Sequence, residues 1–115
     1  MRLNYKVKGE SGKPLVIIHG LFGSLDNWQT IANRLSETFM VYLVDLRNHG
    51  KSPHSDHHSY ELMVEDLKEF FEDNFLNEVN LIGHSMGGKT ALLFSDKHPE
   101  YIAKLMVVDI GVKGY

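Results

Sequence analysis

Five residues, Gly83-His84-Ser85-Met86-Gly87, constrain this chain more than any others. They follow a short apolar run, Val79-Asn80-Leu81-Ile82, and precede a helical pattern that starts near Met86. A serine between two glycines, where a strand hands over to a helix, is the G-x-S-x-G elbow pattern. The chain must reverse so sharply there that a Cβ at either glycine would meet neighbouring backbone. The serine is then expected at the tip of the turn, with its hydroxyl exposed and a helix N-terminus behind it. Taken alone, Ser85 also reads as a helix N-cap, but a cap does not require the flanking glycines.

Strand and helix patterns alternate along the rest of the chain. Arg2 to Lys8 reads as a first strand and Pro14 to His19 as a buried second one, with a turn at Gly9-Glu10-Ser11-Gly12-Lys13 between them. Asp26 is placed to cap a helix from Asn27 to about Glu37, because Trp28, Ile31, Ala32 and Leu35 share one face. Met40 to Val44 reads as a strand, and Tyr60 to about Asn74 as a helix with Met63, Leu67, Phe70 and Phe71 inward. A strand from Glu78 to Ile82 and a helix from Met86 to about Lys97 follow, and His98-Pro99 stops that helix. Lys104 to Asp109 is the last strand. This alternation predicts an α/β fold: a parallel sheet with helices on both faces, joined by right-handed crossovers.

Two further motifs stand at strand ends. The run Leu15-Val16-Ile17-Ile18 leads into His19-Gly20-Leu21-Phe22-Gly23-Ser24, and Val41-Tyr42-Leu43-Val44 leads into Asp45-Leu46-Arg47-Asn48-His49-Gly50-Lys51-Ser52. With the elbow, these residues resemble the α/β-hydrolase superfamily, in the subgroup of small serine esterases that carry H-G-L-F-G-S, D-L-R-N-H-G-x-S and G-H-S-M-G-G-K. The likeness runs from about Tyr5 to Asp109. A chain of 115 residues makes one domain, while the domain of the resembled family is longer. The resemblance therefore implies that residues 1–115 are the N-terminal half of a single hydrolase domain, truncated after the strand that follows the nucleophile helix.

The chemistry implied is acyl transfer. Ser85 is the expected nucleophile, and a serine hydroxyl needs a histidine to take its proton and a carboxylate to hold that histidine. Asp109 follows Leu105-Met106-Val107-Val108 and is expected at the carboxyl end of the strand beside the elbow strand, where sheets of this kind build their sites. It is the candidate acid, the bland alternative being an aspartate that orders the turn before Gly111. Asp45 also ends a strand, but the resembled family uses its D-x-R turn structurally. In the resembled order the base follows the acid. All seven histidines precede Asp109, so the base is expected outside this chain. The oxyanion donors implied are the N–H of Met86 and that of Leu21 or Phe22. Lys89, one turn into the helix, reads as an exposed or aliphatic-packed lysine. His54, His57 and His58 make only a faint zinc pattern in a polar loop, so neither metal nor cofactor is expected.

Composition narrows the partners. A net charge of −3 without a basic cluster argues against nucleic acid. The absence of cysteine excludes disulfides and thiolate chemistry. No apolar run approaches the roughly 18 residues of a membrane span, and the first residues do not open a signal peptide. The expected partner is a small-molecule acyl ester or thioester, and the expected address the cytoplasm. A serine at the elbow argues against the branches of the superfamily that need a carboxylate there. The competing expectation is a non-catalytic piece that self-associates or pairs with a complementary C-terminal half.

Overall fold

A computed structural model of the chain describes residues 2–18, 29–47, 59–84 and 86–108. The elements run β1 (Tyr5–Lys8), β2 (Lys13–Ile18), α1 (Gln29–Leu35), β3 (Phe39–Val44), α2 (Tyr60–Asp73), β4 (Val79–His84), α3 (Met86–Lys97), a single 3₁₀ turn (Pro99–Tyr101) and β5 (Ile102–Val108). The five strands form one sheet in the order β1-β3-β2-β4-β5. β3, β2, β4 and β5 are mutually parallel, as the alternation predicted.

Period-two patterning divides the core between the two faces. Val16 and Ile18 of β2 join Val44, Val79 and Leu81 under α2 and α3, with Met63, Leu67, Phe70 and Phe71 of α2 all turned inward. Leu15 and Ile17 point the other way, to Val41, Leu43 and Ala32 of α1. Burying a side chain of this size contributes about 1.5–3 kcal/mol. A central strand apolar on both faces is therefore the firmest part of the sheet.

Four boundaries differ from those expected. β1 is shorter and antiparallel, pairing Tyr5–Lys8 with Val41–Val44 of β3 rather than joining a wholly parallel sheet. Its turn to β2 is too short for a crossover helix, which parallel pairing requires. Within the described residues α1 covers less than its apolar stripe suggested. It stops at Leu35, where Ser36 Oγ donates to the Asn33 carbonyl oxygen at 2.8 Å and the Thr38 N–H donates to that of Leu35. Asp26, Asn27 and Trp28 lie outside those residues. β4 begins after Glu78, whose φ of 49° is incompatible with a strand, and continues through Gly83 and His84, which pair with Val107 and Val108. β5 starts earlier, at Ile102, opposite Val79.

α2 is well capped at both ends. Ser59 Oγ accepts a hydrogen bond from the Leu62 N–H at 3.1 Å. At the other end the Leu76 N–H donates to the Phe71 carbonyl oxygen (2.9 Å) and the Phe75 N–H to that of Glu72 (3.2 Å). This is a Schellman closure with Phe75, φ 54° and 94% exposed, in the left-handed place that glycine usually takes.

Candidate active site

The site is laid out by strand register. Ile18 at the end of β2 pairs with Val44 on one side and Gly83 on the other, and His84 pairs with Val108. The carboxyl ends of all four parallel strands are thus level. The predicted oxyanion loop leaves β2 after Ile18, and the predicted acid follows Val108 of β5. The nucleophile position follows His84 of β4, which lies between those two strands. Neighbouring strands lie about 4.8 Å apart, so the three exits fall within roughly 10 Å of one another. Leu21, Phe22, Ser85 and Asp109 themselves lie outside the described residues, and Met86 is described only as the first residue of α3.

At the elbow, β4 ends at His84 and α3 begins at Met86, with the single residue Ser85 between them in sequence. Helix and strand approach so closely there that side chains are excluded. A Cβ on Gly83 would lie 2.6 Å from the Gly88 Cα and would also meet the Gly87 carbonyl oxygen. A Cβ on Gly88 would come within 2.8 Å of Val107 Cγ1 on β5. Real Cβ contacts are longer than either. The steric demand expected of the elbow glycines therefore holds at Gly83 and extends to Gly88, which the pentapeptide alone did not include.

Two polar pairs, one part-buried and one buried, flank the end of β3. The Asn4 Nδ2 donates to Asp45 Oδ2 at 3.0 Å, with Asp45 almost fully buried. Arg47 donates from Nε and Nη2 to the two carboxylate oxygens of Asp66 on α2, at 2.7 and 2.9 Å. Through that hydrogen bond Asp66 holds the guanidinium above its usual pKa against the opposing effect of burial. Asp45 thus stands two strands from β4, tied to the N-terminal segment, in the structural role that its D-x-R turn implied. Sequence reasoning missed Asp66; a carboxylate on the inward face of an amphipathic helix was the available signal.

Two histidines are described near these elements. His84 is half-buried on β4. His98 follows α3, packs on Phe94 (5.3 Å between centroids), and lies 3.9 Å from Glu100. The remaining five lie outside the described residues. Among the described residues no group of three or more metal-ligating side chains comes together. No helix there is long and apolar enough to cross a membrane. Lys89, expected to be exposed or packed by its aliphatic stem, is exposed, and its Nζ lies 4.8 Å from the centroid of the Tyr60 ring.

The alpha/beta hydrolase fold family matches residues 13–112, nearly the whole of this arrangement. The chain belongs to the α/β-hydrolase family. Among curated relatives, the α/β-hydrolase chain is 35% identical to esterase YbfF of Escherichia coli, across 100% of its own length and 47% of the relative's. It is 44% identical to the sn-1-specific diacylglycerol lipase ABHD11 of Danio rerio, across 96% of its own length and 36% of the lipase. A solved marine microorganism esterase superposes with a TM-score of 0.91 at 58% identity, covering 92% of this chain and 41% of that one. The chain therefore spans less than half the length of these relatives, and its kinship is with esterases and lipases.

Proposed function

We propose that these residues supply the nucleophile half of a carboxylic-ester or thioester hydrolase that works through a serine acyl-enzyme. Ser85 Oγ attacks the acyl carbonyl while a histidine outside residues 1–115 takes its proton. The N–H of Met86 and that of Leu21 or Phe22 hold the oxyanion, and Asp109 orients the histidine. The alcohol or thiol leaves with the proton from that histidine, and water then cleaves the acyl-enzyme.

One observation carries this reading: a strand and a helix separated by one serine, packed so tightly that a Cβ at Gly83 would meet backbone and one at Gly88 would crowd Val107. Level exits from β2, β4 and β5 support the assignment of the oxyanion loop and the acid to the same centre. The names of the relatives, an esterase and a diacylglycerol lipase, support carboxylic esters as the substrate class. The test is labelling by a fluorophosphonate probe. The full-length protein should be labelled, Ser85→Ala should not, and residues 1–115 alone should react about 10⁴-fold more slowly for want of the base. Failure of the full-length protein to label would overturn the mechanism. Fast labelling of residues 1–115 would place the base within them.

A second reading is favoured by exposed apolar side chains: Met106 is 58% exposed and Leu92 50%, with Val107 and Leu93 also open. Among the described residues β5 pairs on one edge only. Residues 1–115 on their own would then be a non-catalytic piece of one domain that associates with its C-terminal half or with itself. Sedimentation of residues 1–115, with and without the remaining half, separates these outcomes; a stable monomer indifferent to the added half would refute the association.

A further inference from the structure

The first turn of α3 is weak as a helix. It contains Gly87 and Gly88, and glycine in a helix costs about 0.5–1 kcal/mol relative to alanine. A better helix former at Gly88 would carry a packing cost, because its Cβ would crowd Val107 Cγ1 on β5. Glycine also offers no side chain with which to tether the turn to its surroundings. Yet the proposed oxyanion donor at Met86 lies in this same turn, and such donors must be held in place before the reaction.

Lys89 is the first residue after the glycines with a side chain, and it reaches the first residue of α2. Its Nζ lies 4.8 Å from the centre of the Tyr60 ring. A cation is poorly matched to the positive end of a helix, so helix stability does not account for it. Its neighbour Thr90 is fully buried and points Oγ1 at Met63 Sδ of α2, 3.9 Å away. α2 itself starts rigidly, fixed by the Ser59 cap and by the Asp66–Arg47 pair one and a half turns further on.

We infer that the Lys89–Tyr60 contact is a positioning device, in which the capped start of α2 fixes the glycine-weakened start of α3 and with it the Met86 N–H. This rests on the serine-hydrolase reading. Lys89 and Tyr60 are positioning residues, since neither is assigned a contact with the reacting atoms. The contact is worth a factor of about two to five, the equivalent of a cation–π interaction at an exposed site.

The test uses the full-length protein and a p-nitrophenyl ester, with phosphonate labelling of Ser85 as a second readout. Tyr60→Leu and Lys89→Met should each lower kcat about two- to fivefold while KM stays unchanged, because the lost interaction serves the transition state. The double variant should be no worse than either single one. Tyr60→Phe, which keeps the ring, and Lys89→Arg, which keeps the cation, should recover most of the rate. Additive losses, a change confined to KM, or equal damage from the conservative pair would each overturn the inference. Normal kcat in Tyr60→Leu and Lys89→Met, with Ser85→Ala inactive, overturns the positioning role alone. An active Ser85→Ala enzyme overturns the mechanism on which it rests.

Discussion

Arg47 and Asp66 face each other side-on, two donors to two oxygens at 2.7 and 2.9 Å, with 8% and 3% of their side chains open to water. The pair bolts the exit of β3 to the second turn of α2, and its value lies in completeness. Asp66→Ala or Arg47→Ala removes one member of a buried ion pair, which should cost about 3–5 kcal/mol. Replacing both with apolar residues of similar volume should cost less than either single change. Denaturant unfolding of the full-length protein measures all three; a double variant as unstable as the sum of the singles would contradict this.

The elbow glycines should differ in tolerance. Gly83→Ala presses a Cβ on backbone atoms of Gly87 and Gly88, which cannot rotate away, and should prevent accumulation of folded protein. Gly88→Ala meets chiefly the Val107 Cγ1, and such overpacking costs about 1–3 kcal/mol. Trimming the neighbour, in Gly88→Ala with Val107→Ala, should restore much of that loss. Thermal melts of the pair decide the matter.

The two strand-end aspartates should separate by kinetics. In the full-length protein Asp109→Asn should lower kcat by about 10⁴ with the fold intact, the usual result of removing a triad acid. Asp45→Asn disturbs a part-buried hydrogen bond from Asn4 and should act on stability instead. Near-normal kcat in Asp109→Asn would move the acid to a later strand.

Alkaline pH should find Tyr42. Burial, with a smaller contribution from Tyr5, raises its phenol above the ordinary value of 10.0. The folded protein thus holds that proton more tightly than the unfolded chain does. Stability from this source is complete below pH 10.0 and is lost as pH rises through the folded-state value. Melting temperature should fall with pH in that range, and less steeply in Tyr42→Phe. Equal slopes in the two proteins would assign the effect elsewhere.

Much of this arrangement could be read from residue order because local rules governed it. Leu15–Ile18 and Val41–Val44 are buried runs that hold as strands, and α3 occupies the span that Met86 and Lys97 delimit. The antiparallel pairing of β1 with β3 was not legible, since it depends on partners 33 to 39 positions apart in the register. Nor was the left-handed turn just beyond α2, whose end near Asn74 was expected: Phe75 takes a conformation for which its own side chain carries no preference. Arg47–Asp66 and Lys89–Tyr60 escaped for a related reason. Each joins residues whose proximity exists only once two elements have packed.

The strand order also sets a schedule for synthesis. β2 is the middle strand, but its two neighbours are made far apart in time: β3 follows at residues 39–44, β4 only at 79–84. At ribosomal rates of about 5–20 residues per second, one edge of Leu15–Ile18 waits seconds for its partner. A short, uncharged, β-branched segment with an open edge is what aggregates most readily. Nascent chains stalled before residue 79 should therefore be held by chaperones, and those stalled well beyond residue 84 released, as crosslinking on ribosomes would report. For β2 the hazard belongs to an interval in the making of the fold.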